Sequence, residues 1–400
     1  MSRTFSTYLD AVRFVAALMV LLEHAAQPHT GALPLGPLGH FGHDAVVVFF
    51  VLSGLVICHA VHHRDRSLQI YVVNRAARLW SVVVPALLLT VVLGALGGAM
   101  APARYAGYGP GVPIATLLGN LFFVNQLWFL DLSPPSNSPF WSLGFEVWYY
   151  IFFGCIFFLR GRPRIVAGGL AIAAMGPKIL ILLPVWLLGA GLYRIRPPAH
   201  GRLGAALFFG AAAVYLLFRW SALSQPLSLA VLHRLPALPL GMAKYFVNDY
   251  LVALLVAANF IGFRLVEERW ARTFAAIEKP IRFLAGYTFS LYLFHYPLLL
   301  FVCSFLPNGS YLSLPAVLAI TAALGSLTER RRDVLRKALW RLLAADRAGP
   351  PAHDPRRRAM PKRPGAGPGR LGSGGILSRL QSRRVPISCI SIMNRLMKSR

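Results

Sequence analysis

Acidic residues are scarce in this chain, with 14 Asp and Glu against 41 Lys and Arg among 400 residues. Charged residues of both signs make up only 14% of the sequence, while hydrophobic residues make up 56%. A soluble domain usually carries about 25% charged residues, so an ordinary water-exposed surface is excluded for most of the chain. The lipid bilayer is therefore the expected solvent.

Cysteines and the common catalytic signatures are also few. The four cysteines, Cys58, Cys155, Cys303 and Cys389, are far apart, and their spacing excludes a zinc site or a disulfide framework. The sequence has no phosphate-cradling glycine loop, no HExxH and no GxSxG, which argues against an ATPase, a zinc protease or an ordinary serine hydrolase. We expect no metal and no tightly bound cofactor.

Long apolar runs separated by short Arg-rich loops occupy most of the chain. A helix that crosses a bilayer needs roughly 20 apolar residues, and the runs lack the alternation of barrel strands. The sequence predicts an all-α, polytopic membrane bundle of about ten transmembrane helices. The predicted spans are 10–26, 45–61, 79–98, 141–159, 165–177, 179–193, 203–219, 245–263, 281–305 and 312–328.

The positions of the basic loops predict the orientation. The apolar segment 117–130 is expected to be re-entrant or interfacial, because a span there would turn the basic loop at 160–164 outward. All basic loops and both termini then lie on the cytoplasmic side of a bacterial inner membrane. The spans 165–177 and 179–193 are separated by Gly-Pro-Lys. They are expected to be two thin helices joined at the outer surface, with one broken helix as the alternative.

The C-terminal segment has a different composition. Nineteen Lys and Arg residues, against three Asp, lie from Arg330 to Arg400. Because the region 346–400 is basic and contains Gly and Pro, it cannot build a core, and we expect a disordered cytoplasmic tail near anionic membrane lipids. Concentration of the charge in this tail argues against nucleic acid as a partner.

Ionisable residues inside a span are costly, so they are the first candidates for function. Arg13 and His24 are 11 residues apart on the first helix, an offset of about 20° with a rise of roughly 16 Å. They share one face, with Arg13 near the cytoplasmic end and His24 near the outer end. Taken alone, Arg13 is an ordinary positive-inside charge and His24 an interfacial residue.

Glu146 lies near the outer start of another span, four residues after Ser142 and on the same helix face. A carboxylate at that depth needs a partner. We expect it to pair with His24, because this would raise the basicity of the imidazole and fix its tautomer, as a general base requires. A structural ion pair between Glu146 and an arginine is the alternative.

Two later elements supply further candidates. Tyr292, His295 and Tyr296 share a helix face, although a lone histidine there is often only a packing group. Arg75 and Arg78, at the cytoplasmic entrance of the third span, are suited to gripping the phosphates of a nucleotide-bearing donor. As isolated residues they would be ordinary positive-inside charges.

Five motifs occur in a fixed order along the chain. They are YLDAVR at 8–13 with His24, FFVLSG at 49–54, Arg75 with Arg78, WSL at 141–143 with Glu146, and SLYLFH at 290–295. In order and spacing they resemble the acyltransferase 3 family over about residues 6–330. The resemblance implies a membrane O-acyltransferase that moves an acyl group, commonly acetyl, from acyl-CoA to a hydroxyl of a surface glycan or lipid-linked saccharide.

The resemblance and the residues together give a set of expected roles. The expected catalytic residues are His24, Glu146, Arg13, Ser142 and His295, and the expected donor-binding residues are Arg13, Arg75 and Arg78. The outer residues expected to contact an acceptor are Tyr105, Tyr108, Asn125, Trp128 and Asn137. The competing function is a carrier or flippase that moves a saccharide or lipid without acyl transfer, and a third is an inactive family member acting as a partner subunit.

Overall fold

The computed structural model of the protein describes residues 1–108, 111–195, 200–221, 231 and 239–345. These residues form helices and no strands, which confirms the all-α prediction. The helices are α1 (Arg3–Ala26), α2 (Gly42–His63), α3 (Leu68–Met100), α4 (Pro102–Tyr105), α5 (Ile114–Leu121), α6 (Phe140–Phe158), α7 (Gly161–Leu192), α8 (Gly201–Trp220), α9 (Phe246–Ala285), α10 (Thr288–Val302), α11 (Ser313–Leu327) and α12 (Arg332–Ala345). The predicted tail, 346–400, lies outside the described residues.

Seven helices in the described part of the chain are long and apolar enough to cross a membrane. They are α1, α2, α3, α6, α7, α8 and the stretch Gly241–Ala285, which includes α9. Helices α10 and α11 are apolar but only 15 residues long. The chain is therefore a multi-pass membrane protein, and the total of about ten crossings stays a prediction.

Helix α7 contains a chain reversal at Gly176, whose φ of 68° and ψ of 179° are not helical. Gly168, before the reversal, lies against Ile156 of α6. Trp186, after it, makes an edge-to-face contact with Phe153 of α6, with ring centroids 5.4 Å apart. A continuous helix would separate Gly168 from Trp186 by about 27 Å, so the two halves of α7 run antiparallel. This agrees with the expectation of two joined helices, and the positive φ explains the glycine.

The second half of α7 packs closely against α2 through glycines on both helices. A Cβ atom at Gly54 would collide with the backbone of Trp186, and one at Gly189 would collide with the backbone of Val51. Small residues at these positions let the two backbones touch, as in other membrane helix pairs.

The segment 117–130 is not a spanning helix. Helix α5 ends after eight residues, and an irregular chain follows. The buried Lys178 holds this chain by donating to Oε1 of Gln126, at 3.0 Å, and to the carbonyl of Leu130. The re-entrant or interfacial interpretation agrees with this short helix and its irregular continuation.

Helix α10 lies inside the bundle, in contact with α1, α3 and α11. Its residues 290–300 are all buried, as expected for a helix that is hydrophobic on every side. Any polar side chain on α10 must therefore find its partners on neighbouring helices. This arrangement positions the candidate site.

Candidate functional site

A cavity of about 280 Å³ lies among α1, α2, α3, α6 and α10, and we call it the central cavity. Its polar lining residues are Asp10, Arg13, Ser53, Arg75, Arg78, Ser142, Glu146, Tyr150, Arg282, Thr288, Tyr292, Glu329 and Arg332. The structure thus brings together five of the predicted site residues: Arg13, Arg75, Arg78, Ser142 and Glu146. His24 and His295 do not line this cavity.

A second cavity of about 380 Å³ shares much of this lining and continues to the end of the bundle where α1 and α3 begin. We call it the vestibule. The two cavities share the arginines Arg13, Arg75, Arg78, Arg282 and Arg332, and the vestibule adds Arg64 and Arg336. Only four acidic residues line either cavity: Asp10, Glu146, Glu329 and Asp333. The lining is therefore net positive and suited to an anion.

The arginines differ in how they are paired. Arg75 is buried and lies 3.2 Å from a carboxylate oxygen of Asp65. Asp10 bridges Arg13 and Arg282, at 3.1 Å from each. These contacts fix three of the guanidinium groups in the cavity wall, since a charge-assisted hydrogen bond is both short and directional.

Glu146 ends a chain of hydrogen bonds that starts on α7. The indole N–H of Trp186 donates to Ser53 Oγ at 3.1 Å, Ser53 lies 3.1 Å from the hydroxyl of Tyr150, and that hydroxyl donates to Glu146. The proton of Tyr150 is committed to the carboxylate, so Ser53 must be the donor to Tyr150. Because Glu146 and Tyr150 are i,i+4 on α6, the helix itself presets this contact.

The predicted pairing of Glu146 with His24 is wrong. Nδ1 of His24 lies 3.0 Å from Nε2 of His295 and 2.9 Å from the carbonyl oxygen of Val20. The reason is lateral packing: α10 lies directly against α1 and presents His295 at the depth of His24. Glu146 lies one turn beyond Ser142 on α6, lines the central cavity and accepts from Tyr150 instead.

The partners of the two histidines assign their protons. Nδ1 of His295 lies 2.8 Å from the carbonyl of Leu291, and a carbonyl only accepts, so Nδ1 carries the proton and Nε2 is an acceptor. Nδ1 of His24 faces that acceptor and the carbonyl of Val20, so it must be a donor to both. The Nε2 atom of His24 is then left with a lone pair. This is the form that a general base or a nucleophile requires.

Tyr292 connects the histidine pair to the central cavity. Its hydroxyl lies 2.6 Å from Ser142 Oγ and 3.1 Å from the carbonyl of Pro139. Its ring centroid is 6.3 Å from that of His295, one turn further along α10. The hydroxyl groups of Ser142 and Tyr292 therefore line the central cavity next to His295.

Tyr296 of α10, together with two loop residues, covers the other side of His24. The ring centroid of Tyr296 is 5.0 Å from that of His24, and its hydroxyl lies 3.1 Å from Nε2 of His29 and 3.4 Å from the hydroxyl of Tyr108. Burial lowers the pKa of His29 and raises the pKa of Tyr108 above its usual range. This cluster is therefore neutral near pH 7. His24 lies between it and the central cavity.

Other loop residues expected to contact an acceptor have structural partners. Asn137 is buried and donates to Thr90 Oγ1 and to the carbonyl of Leu293, both at 2.9 Å. Asn125 is also buried and donates to the carbonyl of Phe140 at 3.4 Å. Both amides hold the loop onto the helices, because buried amide groups require partners.

Comparison with known families decides what kind of site this is. The family model described as an acyltransferase domain, that of the acyltransferase 3 family, matches residues 6–328. The chain belongs to the acyltransferase 3 family. No curated protein and no solved structure matches it. As a member of this family the protein is a membrane acyltransferase, and the resemblance seen over about residues 6–330 is confirmed.

The predicted site residues of this acyltransferase leave out two buried carboxylates, Asp44 and Asp249. Buried Asp249 lies 2.9 Å from Nε2 of His43, and its signal was an unexplained carboxylate in an apolar run. Asp44 lies 3.0 Å from Arg219 and accepts a hydrogen bond from Tyr215 at 2.8 Å, so it links α2 to α8. Within the described residues, no group of three or more His, Cys, Asp or Glu side chains is placed to hold a metal ion.

Proposed function

We propose that this protein is an O-acyltransferase of the bacterial inner membrane that moves an acetyl or similar acyl group from acyl-CoA to a hydroxyl of a saccharide or lipid-linked saccharide. Both termini and the vestibule would then face the cytoplasm. One observation carries the proposal: an arginine-lined vestibule continues into a cavity that ends beside a histidine pair with a free basic nitrogen. An anionic, thioester-bearing donor fits this order of groups.

The donor side follows from the charges. Phosphate groups of the donor bind the arginines of the vestibule, including the predicted Arg13, Arg75 and Arg78. The uncharged arm enters the central cavity, whose wall includes Phe49 and Phe50. Its amide N–H groups find an acceptor in Glu146, and this is the role we propose for that carboxylate.

The acceptor hydroxyl reaches His24 from the loop side. Nε2 of His24 takes the hydroxyl proton as the oxygen attacks the thioester carbon, and the developing oxyanion is stabilised by the hydroxyls of Ser142 and Tyr292. The tetrahedral intermediate expels the thiolate of CoA, which takes up the proton from His24. His295 accepts from Nδ1 of His24 throughout, and so holds the ring in the basic tautomer.

Thiol release by the purified protein in nanodiscs tests this function. Wild-type protein with acetyl-CoA and a saccharide acceptor should release CoA, and His24→Ala should abolish the release. His63→Ala is the matched control, because His63 is an exposed histidine at the far end of α2. Unchanged CoA release by His24→Ala would refute the role of this residue. Movement of a saccharide across the membrane without any thiol release would support the carrier function instead.

A further inference from the structure

Helix α12 begins where the family domain ends, yet it contributes to the cavities. The family match stops at residue 328. Arg332, the first residue of α12, lines both the central cavity and the vestibule, and Arg336, one turn later, lines the vestibule. The part of α12 in the compact unit Met1–Trp340 therefore adds two guanidinium groups to a site that the family domain otherwise builds.

Arg332 faces Arg78 of α3 across this site. Arg332 keeps an exposed surface, but its partial burial and the charge of Arg78, in that order, lower its pKa. Among the residues that the structure describes, neither arginine forms an ion pair within 4.0 Å, although Arg13, Arg75 and Arg282 all do. Asp333, the residue after Arg332, is paired with Arg336 at 3.3 Å. Two neighbouring guanidinium groups that have no ion-pair partner of their own repel each other, and an anion placed between them would remove that repulsion.

Glu329, the acidic group that acts on both arginines, is already occupied. Glu329 accepts hydrogen bonds from the backbone N–H and the hydroxyl of Ser290, both at 2.9 Å. Its attraction to Arg78 and Arg332 acts from outside ion-pair distance. The pair of arginines therefore has a place for an external ligand with several acceptor oxygens, and a phosphate group matches the fork of a guanidinium.

We propose that Arg78 and Arg332 together clamp a phosphate group of the acyl donor, with Arg336 at the mouth of the vestibule, so that the start of α12 is part of the donor site. This inference rests on the proposed function. The clamp orients the donor, because the central cavity continues from it toward Ser142 and Tyr292. A lipid headgroup offers the same phosphate chemistry, so the test must separate the two sources.

Donor affinity of the full-length protein in nanodiscs measures the clamp. Arg332→Ala should weaken CoA binding by about 10- to 100-fold, the loss expected for a charge-assisted hydrogen-bond pair. Lys337→Ala is the matched control: it removes the same charge from the same helix, but Lys337 lines neither cavity. It should bind CoA like the wild type. Arg332→Lys should fall between the two, because lysine keeps the charge and loses the fork.

A donor without phosphates provides the second readout. Acetyl-pantetheine has the thioester and the amide arm but no phosphate, so Arg332→Ala and the wild type should turn it over equally. Equal turnover also shows that the variant is folded. If Arg332→Ala does not fold, Arg332→Gln, which keeps a polar side chain of intermediate length, takes its place in both measurements.

Three outcomes decide the matter. Unchanged CoA affinity in Arg332→Ala, with a wild type that binds CoA, overturns the clamp and leaves the proposed function standing. Loss of bound phosphatidylglycerol from Arg332→Ala without a change in CoA affinity overturns it in favour of a lipid site. A wild type that neither binds CoA nor releases thiol refutes the proposed function, and the clamp with it.

Discussion

Replacement of His295 tests whether a histidine, and not a carboxylate, controls the tautomer of His24. His295→Leu removes the acceptor for Nδ1 of His24 at a fully buried position. In the transition state that hydrogen bond is made to an imidazolium, and a bond to a charged group contributes about 1.5–3 kcal/mol. Since 1.36 kcal/mol is a factor of ten in rate, kcat should fall by about 10- to 150-fold. The KM for acetyl-CoA should stay unchanged, because the vestibule is not altered.

The matched variant is His295→Gln. Its side-chain oxygen can accept from His24 while its amide nitrogen donates to the carbonyl of Leu291, so both hydrogen bonds of the histidine are kept. Steady-state thiol release at saturating acceptor gives kcat for both variants, and gel filtration checks that they are monodisperse. The reasoning is refuted if His295→Leu keeps the wild-type kcat, or if the two variants lose activity equally.

Three other variants test separate parts of the structure. Gly189→Leu should lower the free energy of unfolding by about 1–3 kcal/mol through overpacking against α2. Gly191→Ala is the control and should leave it unchanged, because Gly191 has open space around it. Equal thermal unfolding midpoints for the two variants in detergent would show that the packing argument fails. Tyr150→Phe removes the hydroxyl that donates a hydrogen bond to Glu146, and it should raise the KM for acetyl-CoA by about tenfold with a smaller change in kcat. A loss of kcat with an unchanged KM in steady-state kinetics would contradict the contact proposed between Glu146 and the arm of the acyl donor. Asp44→Asn should lower the unfolding temperature while leaving turnover per folded molecule unchanged; a folded but inactive variant would give Asp44 a catalytic role.

The sequence predicted an all-α membrane bundle, and the structure has helices and no strands in its described residues. Arg13 and His24 were placed on one helix face by periodicity, and Arg13 does line the central cavity. Periodicity gives the depth and direction of a side chain but not the identity of the neighbouring helix. Glu146 was expected to pair with His24, but the packing of α10 against α1 places His295 there instead.

Charges in the basic loops were harder to interpret. Arg282 and Arg332 lie at helix ends where positive-inside charges are expected, so nothing in the sequence distinguished them from topological signals. Their presence in the cavity wall depends on how α9 and α12 meet α1 and α3. The chain reversal at Gly176 was easier to predict, because Gly-Pro-Lys between two short apolar runs is an unusual interruption of a membrane helix.

The shortness of α10 has a consequence for how the helix is held in the bundle. Its 15 residues extend about 22 Å, less than the roughly 30 Å of a bilayer's hydrocarbon core. The helix therefore depends on its contacts with α1, α3 and α11 for its place in the membrane. Because His295 meets His24 across the contact between α10 and α1, any change that loosens this packing also separates the two imidazoles.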